Sequence, residues 1–271
     1  MVRYGMLIDL KSCNACRACM TACKTFHGIP IGEHKGREYY RIWPKEVELG
    51  TYPYVIRNMT PLLCMHCADP PCMKACPMPG AIYQRADGII LVSEDKCNGC
   101  KLCISACPYD ALYFREDTGI IDKCNFCVEN LDRGVLPECV KTCPAEAMFF
   151  GDLDDSSSQI SILIKKWAAR PFHLQYRTQP SVYYAAHAAR LKGKLESKET
   201  GHAVQAAIVT LKRLDSTESV STYTDSHGAF FFWRLEIRRD YLLVIEADGF
   251  QRIERKLGLH EEYLDLGEIT I

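Results

Sequence analysis

Sixteen cysteines constrain this chain of 271 residues more than any other feature. All lie between Cys13 and Cys143, and the 128 residues that follow hold none. They form four groups of four, each with its own spacing. Cys13, Cys16, Cys19 and Cys23 give C-x2-C-x2-C-x3-C, and Cys97, Cys100, Cys103 and Cys107 repeat it. Cys64, Cys67, Cys72 and Cys76 give C-x2-C-x4-C-x3-C, and Cys124, Cys127, Cys139 and Cys143 give C-x2-C-x11-C-x3-C. This is an internal repeat of ligand sets, with insertions inside the second and fourth. So many thiols call for disulfides, zinc or iron–sulfur chemistry.

Disulfides need an oxidising compartment. The first ten residues hold no apolar core long enough for a signal peptide before Lys11 and Cys13, and no twin-arginine pair. Zinc uses two separated C-x2-C knuckles and does not favour three cysteines within seven residues. Three sulfurs in C-x2-C-x2-C sit on one side of a tight loop and cup a cluster whose four irons each need one outer thiolate. The fourth cysteine lies on a turn of helix and points elsewhere; in bacterial two-cluster ferredoxins it serves the other cluster. Sixteen ligands divide into four [4Fe–4S] clusters with none left over. Proline follows the fourth cysteine in three sets, at Pro77, Pro108 and Pro144, and shifts the chain out of helix there; the first set has Lys24 instead. His66 lies inside the second set, which already has four cysteines, so its expected role is a hydrogen bond near a sulfur or a surface contact.

Nothing else is built for bond-making. With every cysteine consumed as a ligand and the acidic residues scattered as solvated surface, there is no open iron and no catalytic group, and the expected task is one-electron transfer. Charge is balanced, 33 basic residues against 34 acidic, and residues 1–150 hold 17 of each, which argues against a nucleic-acid partner. No run of about 18 apolar residues exists, so no direct membrane insertion is expected. Reduced thiols and the missing signal point to the cytoplasm, with export of a folded complex on a twin-arginine partner as the alternative.

The expected fold class is α+β, with three parts. Residues 1–151 form a duplicated two-cluster ferredoxin-like domain, with strands at Gly5–Leu10 and Gly88–Val92, a hairpin of Leu112–Phe114 with Ile120–Asp122, and helical turns after each third cysteine. An insertion at 24–63 is rich in Tyr and Arg; Tyr39, Tyr40, Trp43, Tyr52 and Tyr54 are read as packing or interface residues. Residues 152–187 form a linker arm: Ser158 caps a helix over Gln159–Ala169, Pro171 stops it, and an extended stretch follows. From 188 to 271 the period changes to two. Seven strands, Arg190–Ser197, Ala206–Leu214, Ser219–Thr224, Ala229–Leu235, Asp240–Ala247, Arg252–Leu257 and Tyr263–Ile271, predict an antiparallel β-sandwich or barrel. Phe230, Phe232 and Trp233 there are read as core rather than as a ligand platform.

Several motifs together resemble the four-cluster ferredoxin subunit of the molybdopterin (dimethyl sulfoxide reductase) family. They are Ile8-Asp9-Leu10-Lys11-Ser12-Cys13, Cys64-Met65-His66-Cys67 with Pro70-Pro71-Cys72, Asp95-Lys96-Cys97-Asn98-Gly99-Cys100 and Lys123-Cys124-Asn125-Phe126-Cys127. The resemblance covers about residues 1–155. It implies a large catalytic subunit with a bis-pterin molybdenum or tungsten cofactor, an external electron carrier, and a nested exchange of ligands. Cys13, Cys16 and Cys19 would pair with Cys143, and Cys124, Cys127 and Cys139 with Cys23. Cys64, Cys67 and Cys72 would pair with Cys107, and Cys97, Cys100 and Cys103 with Cys76. The first of these clusters would lie nearest the pterin.

Residues Thr224–Phe230 and Tyr241–Ala247 with Gly249-Phe250 resemble transthyretin-like β-domains, and such a tail is similar to that of the small subunit of pyrogallol–phloroglucinol transhydroxylase; that relative keeps three clusters, and the four complete sets here point to a related resorcinol-type hydroxylase. This implies hydroxylation, transhydroxylation or reduction of a phenolic compound by the partner. The alternatives are a free-standing polyferredoxin, or a subunit serving another molybdopterin reductase with a sulfur, arsenic or N/S-oxide substrate.

Overall fold

A computed structural model describes residues 2–34, 36–49, 55–185, 189–261 and 263–271. Tyr52, Tyr54 and the boundary at 187/188 lie outside them. The described residues form two compact units, one of residues 2–48 and 57–185 and one containing residues 189–271.

The first unit is built on a four-stranded sheet. Tyr4–Asp9 is its buried centre, antiparallel to Met148–Asp152 on one side and parallel to Val182–Ala185 on the other, with Arg170–Pro171 at the edge. Met6, Leu7 and Ile8 are fully buried, so this strand is apolar on both faces, as a covered central strand must be. The expected strand at Gly5–Leu10 is present one residue earlier, and the expected hairpin forms as Tyr113–Arg115 with Ile120–Asp122. Ile82–Gln84 pairs with Ile90–Val92 in a second hairpin. In the insertion Glu33–His34 pairs antiparallel with Arg37–Glu38, and Ile42–Leu49 with Ile56–Leu63 forms a two-stranded sheet. Within it Tyr39 is buried and stacks on Tyr113 at 5.4 Å, so it packs the core.

All four third cysteines lie on short helices: Cys19 on Ala18–Phe26, Cys72 on Pro71–Lys74, Cys103 on Leu102–Ala106 and Cys139 on Glu138–Lys141. The first helix runs for nine residues against four or five in the others. Lys24 explains it: with no proline after Cys23, the helix continues through Lys24, whose ammonium reaches the Tyr39 carbonyl at 3.3 Å and covers the Tyr40 ring.

Residues 152–185 are not the linker arm that the sequence suggested. Ser158 does cap a helix, accepting from the Ser161 N–H at 3.3 Å, but the helix spans Gln159–Lys166 and ends well before Pro171. What stops it is packing: Trp167 turns onto Phe149, ring centres 5.5 Å apart, and Ala168 takes a positive φ. The chain then straps the second cysteine loop. Gln179 and Thr178 carbonyls accept from the Ala68 and Asp69 N–H groups, Ser181 N–H donates to the Met65 carbonyl, and Tyr184 donates to the Pro61 carbonyl.

The second unit contains seven strands, each within a few residues of its expected place. Ala229–Leu235, Ala189–Glu196 and Tyr263–Thr270 form one sheet in that order; Ser219–Tyr223, Ile208–Arg213, Arg239–Glu246 and Ile253–Leu259 form the other. Leu191, Leu195, Phe230 and Phe232 from the first meet Val209, Leu211, Leu243 and Ile245 from the second in one core. Two corrections apply. Ala189–Glu196 and Tyr263–Thr270 run parallel, so the unit is not wholly antiparallel; parallel neighbours require a crossover, and here it passes through the other sheet. Trp233 is 55% exposed and stacks on Phe231, while Phe230 and Phe232 are core as expected.

Candidate metal centres

Each C-x2-C loop turns by the same device. The residue before the second cysteine takes a left-handed backbone: Ala15 at φ 60°, His66 at 42°, Gly99 at 68° and Phe126 at 56°. A non-glycine residue there costs about 1–2 kcal/mol, and a loop that turns its thiols inward offsets it. In three sets an asparagine fixes the turn. Asn14, Asn98 and Asn125 Oδ1 accept from the Cys16, Cys100 and Cys127 N–H groups at 3.3, 3.3 and 2.9 Å. The second set has Met65 in that place and is held instead by the strap from Ser181.

The sixteen thiols are all free of disulfides, and those that act on one another fall into four quartets. Cys13 faces Cys16 and Cys143, and Cys19 faces Cys13, Cys16 and Cys143. Cys23 faces Cys124 and Cys127, and Cys139 joins all three. Cys67 and Cys72 face Cys64 and Cys107. Cys103 faces Cys76, Cys97 and Cys100. These last four also line one small hollow, otherwise walled by Met78, Ala81, Ile82, Asn98 and Ile121. In every quartet three cysteines of one set meet the fourth cysteine of another. The quartets follow one another in space: Cys19 adjoins Cys139, Cys64 adjoins Cys124, and Cys72 and Cys103 share one apolar cluster.

Burial first, and then neighbouring thiols, pushes Cys19, Cys72, Cys103 and Cys124 up to about 12, and burial does the same to Cys67. Thiolates packed this way repel each other and need bound cations to exist. Among the described residues no three His, Cys, Asp or Glu side chains converge on a single ion. A four-iron cluster asks for something wider, one thiolate per iron, and the quartets fit that donor set.

Residues 55–153 match the 4Fe-4S dicluster domain family. A subunit of the tetrathionate reductase of Salmonella typhimurium is 36% identical over 184 residues, which cover 67% of this chain and 72% of that protein. A subunit of the sulfite dehydrogenase of Allochromatium vinosum is 35% identical, over 68% of this chain and 83% of that protein. The iron–sulfur subunit of the arsenate respiratory reductase of a Shewanella species is 32% identical, over 68% and 96%. The chain belongs to this family of iron–sulfur subunits.

In this iron–sulfur subunit several polar groups beside the quartets were not singled out from sequence. Arg41, from the insertion, pairs with Asp122 at 2.9 Å, and Asp122 also accepts from the Tyr113 hydroxyl at 2.7 Å. His27 Nε2 lies 3.4 Å from Cys127 Sγ; burial and then the Arg41 charge lower its pKa to about 4, so the ring is neutral. Backbone N–H groups of Phe126 and Ala147 reach Cys124 and Cys143 Sγ at 3.4 and 3.3 Å. Such hydrogen bonds to sulfur set reduction potentials. His66 is fully buried, which removes the surface-contact reading. Its Nδ1 accepts from the Ile90 N–H at 3.1 Å and its ring stacks on Phe126. Apart from His66, the only sequence signal for these residues was proximity to a cysteine motif, and for Arg41 not even that.

Gly99 gives a local test of the loop. A Cβ there would meet the Gly119 carbonyl oxygen at 2.3 Å and the Phe114 ring at 2.9 Å, on a left-handed backbone. Gly99→Ala is expected to displace the third loop and lower the bound iron. Metal analysis of the purified variant checks this, and a full iron complement would refute it.

Proposed function

We propose that the chain carries four [4Fe–4S] clusters, one per quartet, and passes electrons singly between a molybdopterin catalytic subunit and an external carrier. The observation that supports this best is that the sixteen thiols gather as four quartets in a linear sequence. The order is Cys13/Cys16/Cys19/Cys143, then Cys23/Cys124/Cys127/Cys139, then Cys64/Cys67/Cys72/Cys107, then Cys76/Cys97/Cys100/Cys103. The clusters would supply one-electron storage. The chain's own residues hold them by thiolate, exclude water through the apolar side chains packed with the cysteines, and set local charge through N–H groups and the cations Arg41 and Lys123. The first quartet is the proposed end nearest the pterin, as the resemblance of its motifs implies.

For the substrate, a phenolic compound rests on the transthyretin-like reading of residues 188–271 alone. The relatives are named for tetrathionate, sulfite and arsenate, and these favour the second reading, a reductase or dehydrogenase of sulfur or arsenic oxyanions. No helix among the described residues is long and apolar enough to cross a membrane.

The deciding experiment purifies the chain with its native partner and measures iron, acid-labile sulfide, and molybdenum or tungsten. Four clusters' worth of iron and sulfide in a complex holding one of those metals is expected. Zinc without visible absorption would end the cluster reading, and migration of the chain alone would favour a free carrier. Deleting residues 188–271 is expected to weaken association while leaving iron content intact; a complex as tight as the full-length one would remove the docking role.

A further inference from the structure

Lys123 stands immediately before Cys124 and is 3% exposed. Its ammonium donates to the carbonyl oxygens of Ile90 and Cys124, the latter at 2.9 Å. Among the described residues no carboxylate forms an ion pair with it. The adjacent Asp122 accepts the Lys123 backbone N–H at 2.7 Å and spends its charge on Arg41. Two carbonyls satisfy hydrogen bonds but do not neutralise a charge, and a buried ammonium without an anion is strongly disfavoured. The fold therefore leaves a positive charge inside the unit that something else must balance.

Its position shows what balances it. The Ile90 peptide is gripped at both ends, its N–H by His66 of the second cysteine set and its carbonyl by Lys123 of the fourth. Ile90 packs in the apolar cluster that holds Cys72, and the Cys124 carbonyl that Lys123 also binds belongs to a residue of another cluster of this unit, shared with Cys64. Lys123 thus lies at the seam between the two middle quartets, and its charge acts on a thiol of each, Cys72 and Cys124. A [4Fe–4S] core with four thiolates is an anion, and two such anions would flank this one cation.

Building on the four-cluster reading, we propose that Lys123 is the shared counter-cation of the two middle clusters and raises the reduction potential of both. An electron arriving at either quartet adds a negative charge beside a fixed positive one in a poorly screened interior, so the reduced state is favoured. No bond or proton moves. The outer quartets, farther along the line, feel the charge less.

The test is a redox titration of the intact complex, followed by electron paramagnetic resonance, with iron and sulfide counted first. Four clusters per wild-type chain must be present, otherwise it is the cluster reading that fails. Lys123→Met removes the charge and keeps the length. At the wild-type midpoints, two of the four titration steps are expected to show a reduced-to-oxidised ratio about tenfold lower, equivalent to about 59 mV for one electron. Signal shapes and iron content should stay unchanged. Lys123→Arg should restore both steps, and Lys166→Met, at an exposed position of the Gln159–Lys166 helix, should move none. If Lys123→Met binds less iron, Lys123→Gln, which keeps a donor and drops the charge, is titrated in its place. Four unmoved midpoints at full iron content overturn the proposal, and so does a shift confined to one cluster or spread equally over four.

Discussion

Cys143→Ser will abolish the same paramagnetic signal as Cys13→Ser, although the two residues stand at opposite ends of the cysteine region. Assignment by sequence set predicts otherwise, since Cys143 would then share its cluster with Cys124, Cys127 and Cys139. The structure brings Cys143 beside Cys13 and Cys19 because Met148–Asp152, just after Cys143, pairs with Tyr4–Asp9, just before Cys13. A serine oxygen is a poorer ligand than a thiolate for cluster iron, so each variant should lose or convert one cluster. As this quartet is proposed to lie nearest the catalytic partner, turnover with an external carrier should fall by at least about a hundredfold in both. The strands of residues 189–271, which have their own core, should remain folded by limited proteolysis. Different lost signals in the two variants would refute the nested pairing, and full turnover in Cys13→Ser would refute the path.

The cysteine spacing made the ligand sets legible because metal chemistry imposes a short, fixed separation along the chain. Period-two alternation made the seven late strands legible for a similar reason: Ala189, Leu191 and Leu195 point to one core at strict intervals. What stayed hidden depended on contacts between distant residues. Residues 170–185 carry no strong periodicity, so nothing local announced that Val182–Ala185 would complete the sheet of Tyr4–Asp9. Pro171 looked like the end of the preceding helix, yet Trp167 packing on Phe149 ends it first. Lys24 broke the proline pattern, and the consequence, a longer first helix, needed the structure to be seen. Lys123 and Arg41 would pass for ordinary surface charges in sequence. Only the fold shows that Lys123 is buried without a carboxylate and that Arg41 is half-buried and paired to one.

Raising the pH will destabilise the metal-free chain far more than the iron-loaded one. Burial above all pushes Cys19, Cys67, Cys72, Cys103 and Cys124 up to about 12 in the folded chain, from an ordinary value of 9.0. A raised pKa means that the folded state holds the proton more tightly than the unfolded state. The stability it brings is complete below pH 9.0 and drains away as the pH climbs towards about 12. Iron removes this dependence, because a ligated thiol has already given up its proton; loading itself releases protons and is favoured as pH rises. Buried tyrosines complicate either curve alone. Burial also raises Tyr109, Tyr113 and Tyr184, which therefore weaken both forms in alkali. The difference between the two forms isolates the thiols. Urea midpoints measured at about pH 8 and about pH 11 should fall steeply for the metal-free chain and shallowly for the loaded one. Parallel declines would mean that the quartet thiols are not the buried, mutually repelling groups on which the cluster sites depend.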